Sequence, residues 1–71
     1  MTHRYVPGYV PTTPEDCKRM LRKVYTTHGA DVWWNAPNRN LEGCVPAEVF
    51  YWGTQGRNDV IHEIMLLTGE W

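Results

Sequence analysis

The sequence predicts an all-α protein, a small orthogonal bundle of about four short helices preceded by an extended N-terminal arm. Apolar residues recur at helical spacing around residues 17–25 and 60–67. Capping residues or prolines precede these segments, and glycines follow them. A chain of 71 residues leaves no room for a second domain. We therefore divide it into an arm over residues 1–12 and a single helical domain over residues 13–71.

The arm, "MTHRYVPGYVPT", contains the tripeptide Tyr-Val-Pro twice. Each proline biases the valine before it, Val6 or Val10, toward extended geometry. Two interpretations stay open. The segment is either an aromatic arm that packs on the domain or on a partner, or a frayed terminus.

The first helix is predicted over residues 14 to 28. Thr13 is a suitable N-cap, and Pro14 suits the first helical position. Gly29 is a suitable end. The apolar stripe expected to face the core consists of Cys17, Met20, Leu21, Val24 and Tyr25.

A second, short helix is predicted over residues 32–35, with Asp31 as its cap. The proline that follows disfavours helical geometry at the residue before it. Next comes the loop "PNRNLEGC". There Asn38 is expected to bond its own backbone, Gly43 to take a positive φ, and Leu41 to enter the core.

A third helix is predicted from Pro46 to Trp52, with the glycines at positions 53 and 56 ending it. Neighbouring residues on a helix point about 100° apart. Of Tyr51 and Trp52, one is therefore expected in the core and the other near the surface. The same argument applies to Trp33 and Trp34.

The last helix is predicted to begin after Asn58, which is a good N-cap, and to end at Gly69. Its wide apolar stripe is expected to face the core. The stripe consists of Val60, Ile61, Ile64, Met65 and Leu67.

Composition excludes several classes of function. A formal net charge of -1 gives no global attraction to nucleic acid. No apolar run is long enough to span a membrane, and no leader pattern is present, so we expect a cytoplasmic protein without membrane contact. Cys17 and Cys44 are expected to be free, buried or half-buried thiols.

No motif indicates catalysis or cofactor binding. His3, His28 and His62 lack metal-ligand spacing, and glycine-rich phosphate loops are missing. Cys44, His62 and Asp59 could supply a nucleophile, a base and an acid, but separation in sequence says nothing about their geometry. We expect no metal, no cofactor and no enzymatic activity.

A basic cluster on the first helix suggests an alternative function, contact with DNA by a small regulatory protein of a phage or mobile element. The acidic residues of the same helix and the slightly acidic chain oppose this interpretation. The cluster consists of Lys18, Arg19, Arg22 and Lys23.

The stretch "WWNAPNRNLEGCVPAEVF" carries a family resemblance. Its matching residues are Trp33, Pro37, Asn38, Leu41, Gly43, Pro46, Val49 and Phe50. At this spacing it resembles the C-terminal toxin-binding domain of Xre/MbcA/ParS-type antitoxins, whose motif reads approximately W-L-x-x-P-N-x-x-L-x-G-x-[TS]-P-x-x-[LV]-[LFI]. Trp34 stands in the leucine position, and the resemblance extends over roughly residues 17 to 71.

This chain departs from the family at three points. Val45 replaces the hydroxyl residue before the helix-opening proline, so an N-cap oxygen is lost. Cys44 stands where the family often has a basic residue. The family usually carries an N-terminal helix-turn-helix domain, and this sequence has only the short arm there, so the resemblance does not imply autoregulation by this chain alone.

The resemblance implies a non-enzymatic, antitoxin-like domain that covers the active-site entrance of a RES-type toxin, an enzyme that consumes or transfers from NAD. A single-domain form in a phage or mobile element would instead bind a host protein. A third alternative is a homo-oligomeric structural or accessory protein.

We expect surface-prone aromatics and the charged chain end to contact the partner. These residues are Trp34, Arg39, Tyr51, Trp52, Glu70 and Trp71. Structural roles are expected for Trp33, Leu41, Gly43, Pro46, Ile61, Ile64 and Leu67.

Overall fold

The computed structural model describes residues 11–69, which form four α-helices and, within that range, no strand. This confirms the prediction of a small all-α bundle. The helices are α1 (Pro14–Leu21), α2 (Thr27–Asn35), α3 (Pro46–Val49) and α4 (Thr54–Thr68), with a 3-10 turn at Arg39–Leu41. Apart from its last two residues, the predicted arm lies outside the described residues.

Helix α1 begins as predicted, because the Thr13 hydroxyl accepts a hydrogen bond from the Asp16 amide at 3.1 Å. It ends at Leu21 instead of residue 28. Tight turns follow it, in which the Lys23 amide donates to the Met20 carbonyl at 3.0 Å. Thr26 then takes an extended conformation, with φ -70° and ψ 171°. The predicted first helix is therefore only α1, and its last two predicted residues, 27 and 28, begin α2 instead.

Thr26 is the residue that divides them. Its hydroxyl accepts a hydrogen bond from the Gly29 amide at 3.0 Å, which caps the start of α2. Gly29 thus belongs to the first turn of α2 and does not end α1, and Asp31 lies inside α2 and does not cap it. Tyr25, predicted to be buried on α1, lies exposed in the connection, as does Val24 before it.

The loop between α2 and α3 forms as the sequence predicts. The Asn38 side chain accepts from the Asn40 amide at 2.8 Å, and the Gly43 amide donates to the Asn38 carbonyl at 2.8 Å. An isolated antiparallel bridge between Asn38 and Cys44 closes the loop. Gly43 has φ 81°, and Leu41 is buried. The loop is ordered by its own backbone hydrogen bonds.

The corner between α3 and α4 differs from the prediction. Helix α3 ends at Val49 and not at Trp52, and α4 begins at Thr54, before the predicted cap Asn58. Gly56 therefore lies inside α4 and does not separate two helices. A Cβ atom at Gly56 would overlap the Val49 carbonyl oxygen and stand 2.9 Å from the Trp52 Cβ atom. Glycine here permits the close approach of two helices.

Trp34, and not Trp33, fills the core. Trp34 is only 4% exposed, whereas Trp33 is partly buried at the edge of the core. Ala30 and Trp34 stand four residues apart, so both lie on the face of α2 that points inward. The sequence assigned the two tryptophans the opposite way. The core cluster consists of Cys17, Leu21, Ala30, Trp34, Leu41, Val49, Phe50, Val60 and Ile64.

The inward face of α4 follows the predicted stripe for most of its length. Val60, Ile61 and Ile64 are buried, while Leu67, which was expected to be structural, is exposed. Helix α4 has 15 residues and its neighbour α1 has 8, so α1 is too short to cover all of α4. Gly69 ends α4 as predicted, with its amide donating to the Met65 carbonyl at 2.8 Å.

Candidate protein-docking site

Two aromatic side chains project from the corner between α3 and α4. Tyr51 is 70% exposed and Trp52 is 62% exposed. We had expected one of them to be in the core, but α3 ends before both, so the helical argument does not apply to them. The preceding residue, Phe50, is the buried one. Tyr51 and Trp52, two of the predicted docking residues, are thus both exposed at the turn between α3 and α4, and we call this pair the aromatic corner.

The aromatic corner rests on a chain of ring contacts that leads into the core. The Phe50 and Tyr51 rings lie 5.4 Å apart between centroids and meet edge to face at 79°. The Trp34 and Phe50 centroids lie 5.6 Å apart with a tilt of 60°. Trp34, predicted to contact a partner, is therefore buried beneath this surface and supports it from inside.

A groove of about 500 Å³ adjoins Trp52, between the 3-10 turn and α4. Its apolar lining comes from Leu41, Val49 and Trp52. Gly56 also lines it, and the absence of a side chain there lets the α4 backbone pack against the Val49 carbonyl oxygen and the Trp52 Cβ atom. We call this space, together with its polar lining described next, the Trp52 groove.

The polar lining of the Trp52 groove comes mainly from α4. The Gln55 amide nitrogen donates to the Asp59 carboxylate at 2.9 Å, and the Asn40 amide nitrogen donates to the Glu63 carboxylate at 3.1 Å. Sequence analysis missed Gln55, Asp59 and Glu63 as a site. Their spacing of four residues along one helix is the pattern that could have revealed a shared face.

The groove is acidic. Glu42 adds a third carboxylate to those of Asp59 and Glu63. Among the described residues that line the groove, there is no lysine or arginine. A concave site lined by charges of one sign attracts groups of the opposite charge.

The structure brings Cys44, Asp59 and His62 to the wall of this same groove. A shared wall is not catalytic geometry, because a nucleophile needs its base within about 2.6–3.2 Å. The Cys44 thiol instead makes a long contact of 4.0 Å with the Glu42 backbone carbonyl. Across residues 11–69, no cluster of three or more His, Cys, Asp or Glu side chains could hold a metal ion.

The other predicted docking residues have different positions. Arg39 is exposed at the start of the 3-10 turn, next to Asn40 of the groove. Glu70 and Trp71 lie outside the described residues. In the part of the chain that the structure describes, the candidate site therefore consists of the groove and the aromatic corner.

The basic cluster is accompanied by carboxylates. Lys18 forms an ion pair with Asp31 at 3.6 Å, and Arg19 forms one with Asp16 at 2.8 Å. Arg22 and Lys23 are exposed in the turn after α1. The first two cations thus face carboxylates of the chain itself, which weakens the attraction of this face for phosphates.

The two cysteines are free, as predicted. Cys17 lies in the core, where burial raises the pKa of its thiol from 9.0 to about 12, with a smaller contribution from the charge of Asp16. Such a thiol is a poor nucleophile. Cys17 therefore acts as a core residue.

A second hollow, of about 430 Å³, lies against the outer side of α2. Its apolar lining includes Tyr25, Val32, Trp33 and Pro37. Trp33 thus forms part of a surface as well as the edge of the core. This hollow contains no charged side chain among its described lining, in contrast to the Trp52 groove.

The fold and its surface define a small helical domain with an exposed aromatic corner beside an acidic groove. Comparison of the chain with known protein families, with curated proteins and with solved structures gives no match. Within residues 11–69, none of the helices has the length and apolar character required to cross a bilayer.

Proposed function

We propose that this chain is a non-enzymatic protein-binding module that docks on another protein through the aromatic corner and the Trp52 groove. The observation that carries the proposal is the exposure of two consecutive aromatic side chains, Tyr51 and Trp52, at the turn between α3 and α4. Tyrosine and tryptophan are among the residues that contribute most to binding energy in protein interfaces. Contact with a partner would remove their apolar surfaces from water.

The site is also preorganised. Phe50 and Trp34 support the Tyr51 ring from below, and the close packing at Gly56 determines where α4 meets Trp52. A surface that is ordered before binding loses little conformational entropy when a partner docks. This supports a specific interface at the corner over an adaptable one.

The identity of the partner is proposed from the motif. The stretch Trp33–Phe50 resembles the toxin-binding domain of Xre/MbcA/ParS-type antitoxins. We therefore propose a RES-type, NAD-consuming enzyme as the partner, with a host protein as the alternative. Docking at the entrance of that enzyme's active site would inhibit it without chemistry by this chain.

Co-purification from the cells that make the protein tests this proposal. The full chain carries an N-terminal tag so that its C-terminus is unchanged, and mass spectrometry identifies the retained proteins. We compare the wild type with the double variant Tyr51→Ala, Trp52→Ala. A retained protein that the double variant loses is then purified, and its affinity and NAD consumption are measured. Loss of two interface aromatics should weaken binding by about 30-fold or more.

Leu66→Ala is the matched control, because Leu66 is an exposed apolar residue of α4 outside the groove. It should retain the partner as the wild type does. Retention of no protein would contradict the docking surface. A partner that the double variant Tyr51→Ala, Trp52→Ala retains as well as the wild type does would also contradict it. A stable oligomer in light scattering that the double variant converts to a monomer would assign the corner to self-association instead.

Contact with DNA through α1 is the alternative, and the ion pairs of Lys18 and Arg19 give it less support. A gel shift over a salt series tests it, because binding through phosphate contacts weakens steeply as salt rises. The double variant Arg22→Ala, Lys23→Ala should weaken any such shift and reduce its dependence on salt. A shift that is insensitive to salt, or no shift, removes this alternative.

A further inference from the structure

The acidic character of the Trp52 groove indicates what the partner presents to it. Its carboxylates come from Glu42, Asp59 and Glu63, and its described lining includes His62 but no lysine or arginine. Trp52 forms an aromatic wall of the same space. Carboxylates bind a guanidinium through charged hydrogen bonds, and an indole ring binds it by stacking.

We propose that the Trp52 groove receives an arginine side chain of the partner protein, an inference that rests on the proposed docking function. The guanidinium stacks on the indole of Trp52 and donates hydrogen bonds to the carboxylates of Asp59 and Glu63. Leu41 and Val49 contact the apolar stem of the arginine side chain.

The groove holds its two carboxylates in position for this ligand. Gln55 donates one hydrogen bond to Asp59, and Asn40 donates one to Glu63. A carboxylate has about four acceptor positions, so a single amide donor orients it without saturating it. Asp59 and Glu63 are also four residues apart on α4 and therefore lie on the same side of that helix.

The chemistry of the lining favours arginine over lysine. A volume of about 500 Å³ accommodates a planar guanidinium together with part of the segment that carries it. A guanidinium presents five donors in a flat fork that can contact two carboxylates while stacking on a ring. An ammonium group lacks the flat face for stacking. The second hollow, which has no carboxylate in its described lining, is not expected to bind arginine.

Titration of the full chain with the peptide acetyl-Leu-Arg-Leu-amide tests the proposal, followed by two-dimensional NMR. The indole N–H of Trp52 and the side-chain amides of Asn40 and Gln55 report on the groove. The matched control is the same peptide with citrulline, which has arginine's shape but no charge. We expect saturable shifts at these three groups with the arginine peptide, weaker binding of a lysine peptide, and no saturable shift with citrulline.

Asp59→Asn and Glu63→Gln are the sharpest variants, because each keeps an oxygen that can accept the bond from Gln55 or Asn40. Each removes only the charge, so the groove should keep its shape. Each should weaken binding of the arginine peptide about 1.4- to fivefold, the range measured for exposed ion pairs. Trp52→Ala should remove the binding, and wild-type binding should weaken as salt rises.

Three results would overturn the proposal: equal shifts with the citrulline peptide, shifts outside the groove, or no saturable shift up to the solubility limit of the peptide. The same variants separate this inference from the docking function. Suppose that the double variant Asp59→Asn, Glu63→Gln binds a purified partner as the wild type does, while the double variant Tyr51→Ala, Trp52→Ala does not. The docking function then stands, and the proposal that the groove receives an arginine is wrong. If the arginine peptide binds in the groove but no partner depends on Tyr51 and Trp52, the arginine site stands and the docking function fails.

Discussion

Trp34 and Phe50 pack with their ring centroids 5.6 Å apart and their planes tilted by 60°. This contact joins α2 to the end of α3, and the Phe50 ring in turn meets Tyr51 at the surface. The exposed corner is thus attached to the most deeply placed tryptophan of the core. Stability and the proposed docking should therefore depend on different aromatic residues, Trp34 inside and Tyr51 outside, which are joined by the Phe50 ring.

Removing Trp34 should cost far more stability than removing Trp52. Trp34→Ala leaves a cavity in the core and should lower the free energy of unfolding by about 3–5 kcal/mol. Trp52→Ala removes an exposed side chain and should change it by about 0.5 kcal/mol or less. Urea unfolding followed by circular dichroism measures both. A larger loss from Trp33→Ala than from Trp34→Ala would contradict the placement of the two tryptophans.

Gly56→Ala should destabilise the protein although alanine is the better helix former. The added methyl group would overlap the Val49 carbonyl oxygen and press on the Trp52 Cβ atom, so α4 must move away from α3. Such overpacking costs about 1–3 kcal/mol. Asn58→Ala, at an exposed position of the same helix, is the control and should be neutral or slightly stabilising. Urea midpoints that do not differ between the two variants would show that the corner is loosely packed.

Thr26→Ala tests where the second helix begins. Loss of the hydroxyl leaves the Gly29 amide without its cap and should cost about 1 kcal/mol. Asp31→Ala should cost about 0.2–1 kcal/mol through its ion pair with Lys18, and high salt should remove that cost. Thermal unfolding at low and high salt distinguishes them, because the loss from Thr26→Ala should persist. A loss from Asp31→Ala that persists at high salt, together with no loss from Thr26→Ala, would show that Asp31 is the cap of α2.

The thiols should differ in reactivity. Cys44 is partly buried, whereas burial in the core raises the pKa of Cys17 to about 12. We expect iodoacetamide at pH 8 to modify Cys44 in the folded protein and both cysteines in denaturant. Mass spectrometry of the alkylated peptides measures this. Equal rates for the two thiols in the folded protein would contradict the position of Cys17.

The Cys17 thiol also makes the free energy of unfolding depend on pH in alkaline solution. The folded state binds the Cys17 proton more tightly than the unfolded state, so this thiol leaves stability unchanged below about pH 9. As the pH rises from 9.0 toward about 12, its contribution falls progressively. Cys17→Ala should therefore lose stability less steeply over this range in urea titrations. Parallel curves for wild type and variant would contradict this assignment.

The predictions that the structure confirms concern residues whose hydrogen-bond partners are close in sequence. Thr13 caps α1 through an amide three residues later, and Asn38 organises its loop through neighbouring backbone groups. Gly43 and Gly69 take the positive φ values that their positions require. Local chemistry of this kind is visible in a single sequence. The sequence alone did not decide whether Tyr51 or Trp52 is exposed, because the answer depends on where α3 ends.

The sequence by itself thus determined the class of fold, the start of α1, the ordered loop, the opening of α3 at Pro46 and the end of α4 at Gly69. Only the tertiary structure decided the inward orientation of Trp34, the place of Gly56 inside α4 and the acidic groove beside Trp52. Each of these depends on contacts between distant segments. Gly56 approaches Val49, and Asn40 reaches Glu63, only in the folded chain. The order of neighbouring residues therefore does not predict these two contacts.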